Sequence, residues 1–196
     1  MDIVTDQYYT TNAADFVNDT FNLTSRMQPL YDKFFMYLRS NIVLDVGCGS
    51  GRDSLYFQNH SLIVTSIDAN REMIVSCIDN GVENAINTSI EQFESDLKYG
   101  GVWACASLLH LKRCDMMSIF NKIADMMIDG AVLYCSFKYG SFEGYRNGRY
   151  FTYMTEGMFE ELINKVQHLE TVEMFVSEDV RDNVSQKWLN VFLKKK

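Results

Sequence analysis

Apolar positions along the chain change period near residue 40. Met27, Leu30, Tyr31, Phe34, Phe35 and Leu38 recur at three- and four-residue steps and predict one apolar helix face. Ala13 to Thr20 predicts a shorter helix ahead of it. From Ile42 the pattern becomes strand-like. Ile42 to Val46 is a short apolar, β-branched run that ends in glycines, and Arg52 to Asn59 then reads as helix. Leu62 to Asp68 predicts a second strand, and Asn70 caps a helix running to Asn80. Glu83 to Thr88, Gly101 to Ala106 and Ala131 to Phe137 predict three more strands. The helix after Ala106 carries Met116, Ile119, Phe120, Ile123 and Met127 on one face, so its paired methionines read as core. A last helix presents Met158, Phe159, Leu162, Ile163 and Val166 behind Thr155 as N-cap.

Strands alternating with helices predict a parallel sheet covered on both faces. The end of the chain breaks that rule. Glu170 to Ser177 alternates, Trp188 to Leu193 is nearly all apolar, and only Glu178 to Gln186 joins them. A parallel crossover needs about a dozen residues or more, so these two strands should pair antiparallel. The final strand must then be inserted between the sixth and the rest. The expected fold class is α/β: a Rossmann-like seven-stranded sheet, mostly parallel with an antiparallel last strand and helices on both faces. Length, 196 residues, suits one domain over 1–196, with 1–40 a helical cap over the ligand site and 41–196 the core.

Composition narrows the partners. The net charge of −8 argues against a nucleic-acid partner, which would need a basic face. Lys194 to Lys196 reads as a solvated tail. Five cysteines without a CxxC pair or a Cys/His cluster suggest no metal site and a reducing compartment. With no leader pattern and no apolar run of membrane-spanning length, a cytoplasmic protein is expected.

The chemistry concentrates in Asp45-Val46-Gly47-Cys48-Gly49-Ser50-Gly51, at the carboxyl end of the first strand, where nucleotide-type ligands bind in open α/β sheets. The spacing is G-x-G-x-G rather than G-x-G-x-x-G. A carboxylate at Asp45 suits a cationic ligand and would repel a pyrophosphate. Asp68 ends the second strand, 21 positions after Gly47, where an acid can accept bonds from two ribose hydroxyls. A glycine turn plus an acidic helix cap is the plainer account of each element taken singly.

Leu44 to Asp53 resembles motif I of class I S-adenosylmethionine-dependent methyltransferases, in the form of the type 11/12 and tellurite-resistance (TehB-like) groups. The resemblance runs from Tyr8-Tyr9 to Trp188-Leu189-Asn190-Val191. It implies S-adenosylmethionine as cofactor, S-adenosylhomocysteine as product, and methyl transfer as the activity. It places the methionine moiety on Asp45, Gly47, Cys48, Gly49 and Gly51, and the ribose on Asp68. It sets Ala69 and Met73 beside the adenosine, Ser89 and Ile90 near adenine, Ala104 to Leu108 with Ala106 at its centre along the methionine end, and Tyr9 as a lid contact. The chain departs from the pattern at Gly100-Gly101, where relatives carry an acid, and at Asp129-Gly130, where many have Pro-Gly.

For the acceptor, His110 follows the fourth strand and is the one histidine placed to act as a base, or else it is a packed ring bonded to backbone. Lys138 and Tyr139 at the end of the fifth strand are further candidate catalytic residues. With Arg149 and Tyr150 they suggest attraction for an anionic group on a small-molecule substrate, though a solvated loop explains them too. Ser177 to Arg181 either closes the pocket or forms a surface ion-pair cluster. The remaining alternatives are a cofactor-binding subunit without turnover, a methyltransferase recruited by a partner to a macromolecule, and an NAD-dependent oxidoreductase. Oligomeric state is left open.

Overall fold

The computed structural model describes residues 1–182 and 184–196. Two short helices, α1 (Ile3–Thr11) and α2 (Ala13–Thr20), lead through one 3₁₀ turn into α3 (Thr24–Tyr37). The core then runs β1 (Ile42–Val46), α4 (Arg52–Asn59), β2 (Ile63–Asp68), α5 (Arg71–Asp79), β3 (Ala85–Asn87), β4 (Tyr99–Ala104), α6 (Arg113–Met126) and β5 (Met127–Lys138). A hairpin, β6 (Glu143–Arg146) and β7 (Arg149–Thr152), precedes α7 (Glu156–Ile163), β8 (Leu169–Glu178) and β9 (Lys187–Lys195).

The main sheet has the order β3-β2-β1-β4-β5-β9-β8. β9 runs antiparallel to both β5 and β8, and every other pairing is parallel. The inserted last strand deduced from the nine-residue connection is therefore present. Strand alternation builds two cores. Val43, Val64, Trp103, Val132, Tyr134 and Phe192 point to the side of α3 and α4 and pack with Met27, Tyr31, Phe34 and Phe57. Leu44, Val46, Val102, Leu133, Cys135 and Val191 point to the side of α6 and α7, among Met116, Phe120, Ile123 and Phe159. Both faces of the central strands are buried, which is why they read as continuous apolar runs.

Three expectations change. Lys194 and Lys195 are not a free tail: Lys194 pairs with Val132, and Lys195 Nζ donates to the Met127 carbonyl at 2.8 Å. The polar stretch after Gly140 is a hairpin. Asn147 and Gly148 take φ of 49° and 74°, as a two-residue primed turn requires. The fifth strand starts earlier than its apolar run, because a register shift around Asp129-Gly130 lets it continue back to Met127. There Arg39 Nε donates to the Gly130 carbonyl at 3.2 Å.

The departure at Gly100-Gly101 has a steric cause. A Cβ on Gly100 would lie 2.3 Å from the Ser40 backbone nitrogen, and one on Gly101 2.4 Å from Leu38 Cδ2. The end of α3 crosses the start of β4 with no room for a side chain. Gly100→Ala should therefore destabilise the fold by about 1–3 kcal/mol in denaturant unfolding. Gly157→Ala in α7, where nothing lies within 4 Å of the added methyl, should be neutral or stabilising by up to about 1 kcal/mol.

Candidate functional site

Strand order reverses between β1 and β4, and the crevice outside their carboxyl ends is where ligands bind in open α/β sheets. A cavity of about 280 Å³ opens there. Gly47, Cys48 and Gly49 form one wall, Asp68, Ala69 and Met73 the next, and Ser89 and Ile90 lie beyond them. Ala106 and His110 follow β4, Lys138 ends β5, and Arg149 and Phe151 come from β7. Tyr9 of α1 and Phe16 of α2 complete the enclosure from above.

Gly47 combines a left-handed φ of 71° with a close approach: a Cβ there would lie 2.3 Å from Ser107 Cβ. No other residue meets both demands. Ser107 Oγ is buried without a hydrogen-bond partner, an orphan on the cavity wall. Asp68 accepts from the Gly49 N–H at 3.0 Å on one oxygen and from the Asn70 N–H at 2.8 Å on the other. Each oxygen keeps a free lone pair. Burial raises the Asp68 pKa above the ordinary carboxylate value, against the pull of those two bonds.

The N-terminal helices are tied down on two sides. Asn70 Nδ2 donates to the Asp6 carbonyl, Asp6 Oδ1 and Thr10 Oγ1, at 3.1, 2.8 and 2.9 Å. The Tyr150 N–H donates to Thr5 Oγ1 at 2.8 Å. Asn12 caps α1 by bonding the Tyr8 carbonyl rather than facing the cavity. The segment Ser177 to Arg181 lines the cavity and is also an ion-pair cluster, with Arg181 holding both oxygens of Asp179 at 2.9 and 2.8 Å.

Four expected site residues lie off the cavity wall. Asp45 faces α4, where Ser54 Oγ donates to its carboxylate at 2.6 Å. Burial first, and Asp53 next, push its pKa well above the carboxylate range. Its carboxylate thus bonds within the fold, beneath the loop and off the cavity wall. Gly51 serves packing, since a Cβ there would lie 2.6 Å from Val82 Cγ2 and 2.8 Å from Cys77 Sγ. Tyr139 sits past the end of β5, its N–H donating to the Lys187 carbonyl at 2.9 Å and its ring near Glu156. Tyr150 turns outward to Glu143 at 2.9 Å, and only its carbonyl faces inward.

That carbonyl defines His110. It accepts from Nδ1 at 2.7 Å, so Nδ1 carries the proton, and Nε2 accepts from the Tyr9 hydroxyl at 2.9 Å. Both ring nitrogens are engaged. Burial, helped by the charges of Arg149 and Lys138, depresses the His110 pKa to about 4 against the backbone bond, and the ring is neutral at pH 7. Among the aromatic and polar wall residues that sequence reasoning passed over are Phe151, Phe16 and Asp53. The alternation of Arg149, Tyr150 and Phe151 along a strand was the available signal, once the Asn-Gly turn is read as a hairpin.

Residues 43–130 match the family model described as a methyltransferase domain. None of the curated proteins matches the sequence. Among solved structures, the Burkholderia thailandensis 1,6-didemethyltoxoflavin-N1-methyltransferase superposes with a TM-score of 0.78 at 17% identity, covering 98% of this chain and 88% of that one. The N-methyltransferase NodS of Bradyrhizobium japonicum gives 0.77 at 16% identity, covering 99% of each chain. TehB of Haemophilus influenzae gives 0.71 at 19% identity, covering 94% of this chain and 67% of that one. The expected fold is confirmed. Among the described residues, no helix is long and apolar enough to cross a membrane.

The His110 environment carries a pH signature. Its pKa is lowered on folding from 6.5 to about 4, so the unfolded chain binds the extra proton first as pH falls. The stabilisation is complete above about pH 6.5 and is lost between there and about pH 4, a loss of roughly 3 kcal/mol. Unfolding measured across that window should show a steeper acid dependence for wild type than for His110→Gln. Equal slopes would contradict a buried neutral ring.

Proposed function

We propose that this chain, a class I methyltransferase in its domain match and its fold, binds S-adenosylmethionine at the carboxyl edge of β1, β2 and β4. It transfers the methyl group to a small anionic molecule. The observation that carries the reading is the pairing of a Cβ-free wall at Gly47 with Asp68 one strand away, on the cavity wall with a single hydrogen-bond partner on each oxygen. The group fits these residues. Asp68 would take the ribose hydroxyls, Ala69 and Met73 would border the adenosine, and Ser89 and Ile90 would meet the adenine. Gly47, Cys48, Gly49 and Ala106 would hold the methionine end, where the unpartnered Ser107 hydroxyl awaits a polar atom. The 1,6-didemethyltoxoflavin-N1-methyltransferase and NodS are both described with S-adenosylhomocysteine bound, which supports the cofactor.

When bound, the cofactor supplies an electrophilic methyl group on a sulfonium. The chain's own part is to align the acceptor and exclude water. Tyr9 and Phe16 close the cavity from above, and neutral His110 fixes the Tyr9 hydroxyl. Lys138 and Arg149 supply positive charge on the side away from Asp68. An NAD enzyme is disfavoured by the inserted antiparallel β9 and by the methyltransferase domain match.

Calorimetric titration tests the reading. S-adenosylmethionine and S-adenosylhomocysteine should bind saturably and NAD should not. Asp68→Ala should weaken both by about tenfold or more, the loss of charge-assisted bonds to a bound hydroxyl pair. Preference for NAD, or no binding by folded protein, would overturn it.

A further inference from the structure

One end of the cavity holds more positive charge than the fold uses. Lys138 Nζ lies 4.0 Å from the centroid of the Phe151 ring, and Arg149 Cζ lies 5.1 Å from the same ring. Arg149 also stacks on Tyr8 at 4.3 Å. Among the described residues neither cation forms a salt bridge. The nearby carboxylates are spoken for: Asp179 is held by Arg181 and by Trp188 Nε1 at 2.9 Å, and Glu143 by Tyr150 and Arg113. Arg149 Nε is buried with no partner at all. A buried donor left unmet is costly in a folded protein, so this one points to a ligand.

We propose that Arg149 and Lys138, set against Phe151, form a subsite for a carboxylate on the methyl-accepting molecule. This rests on the reading of the cavity as a methyl-transfer site. Three aromatic rings, of Tyr8, Tyr9 and Phe151, lie 4.3, 5.7 and 5.1 Å from the guanidinium carbon, and a guanidinium held in this way can bond a planar carboxylate with two parallel hydrogen bonds. The neighbouring donors are already committed. The Tyr9 hydroxyl donates to His110, and His110 Nδ1 donates to the Tyr150 carbonyl, so neither of these donors is free for the acceptor. The subsite is also separate from Asp68. β5 stands three strands from β2, about 14 Å at the usual strand spacing.

The charge balance sets a pH limit. Burial lowers the Lys138 pKa to about 8, with Arg149, Arg181 and Arg146 pushing the same way and Asp179 opposing. A bound carboxylate stabilises the protonated amine, so affinity should hold through neutral pH and fall above about pH 8.

The probe is benzoate, titrated into protein saturated with S-adenosylhomocysteine, with benzyl alcohol and inorganic phosphate as comparisons. Benzoate should bind saturably and at least tenfold more tightly than either. Arg149→Met should weaken benzoate by about tenfold to a hundredfold, while S-adenosylhomocysteine affinity stays within about twofold and shows that the variant is folded. Lys138→Met should weaken benzoate and remove the fall above pH 8. Benzoate binding unaltered by Arg149→Met, or phosphate binding more tightly than benzoate, would overturn the subsite. So would a loss of S-adenosylhomocysteine affinity in Arg149→Met, which would assign the guanidinium to the cofactor. If wild type binds S-adenosylhomocysteine but not benzoate, only the subsite falls. If it does not bind S-adenosylhomocysteine, the methyl-transfer reading falls and the subsite with it.

Discussion

The Asp53 carboxylate is buried at the start of α4, and the surroundings are arranged to keep it charged. It accepts from Arg52 Nε and Nη2 at 2.6 and 2.9 Å, from Trp103 Nε1 at 2.8 Å, and from the Tyr31 hydroxyl. Burial alone would raise its pKa, but the Arg52 charge and these bonds outweigh it and hold it below the ordinary value. Removing a donor would leave a buried charge uncompensated, so each donor is fixed in place. Through them one side chain joins α3, α4 and β4. Arg52 Nη1 extends the link to the Thr20 carbonyl at the end of α2, at 3.3 Å. The enclosing helices are thus anchored to the same strands that open the cavity, and Asp45, its neighbour in charge, is pushed toward the neutral form.

That anchoring gives the cavity a direction. The sheet order sets Asp68 on β2 at one side and Lys138 on β5 at the other, with the glycine loop and Ser107 between. An acid thus lies at one end of the cavity and two cations, Lys138 and Arg149, at the other. Insertion of β9 beside β5 also has a consequence for the site: it brings the β8–β9 connection, with Asp179, Val180 and Arg181, onto the cavity wall. Arg26 of α3 reaches the same connection, donating to the Val180 carbonyl at 2.6 Å and to Asp182.

Legibility in the sequence followed the range of the interactions. The strand–helix alternation, the Asn70 and Thr155 caps and the short final connection are local, and they led to the fold. The glycine loop was legible because close backbone approach leaves a mark on residue type. Facing directions were harder. Asp45 shares a face with Val43, opposite Leu44 and Val46, on a strand buried on both faces, so alternation told which residues share a side but not which side bears the cavity. Tyr150 and Arg149 differ by one position and point opposite ways once the hairpin is formed, and the Asn147-Gly148 turn that reveals this was passed over. A packed ring bonded to backbone was one of the two readings of His110, but its partners, Tyr9 and the Tyr150 carbonyl, are distant in the chain and were out of reach. So was the cause of the Gly100-Gly101 departure, which lies in the crossing of α3 over β4.

The central claim is that one ligand joins the glycine loop, the end of β2 and the helices above them. Hydrogen–deuterium exchange with and without S-adenosylhomocysteine tests it most directly. The account predicts slowed exchange at residues 46–51 and 67–70 and across α1 and α2, with the outer edge of β8 unchanged. Binding that leaves the exchange of α1 and α2 unaltered, or that protects β8 instead, would contradict it.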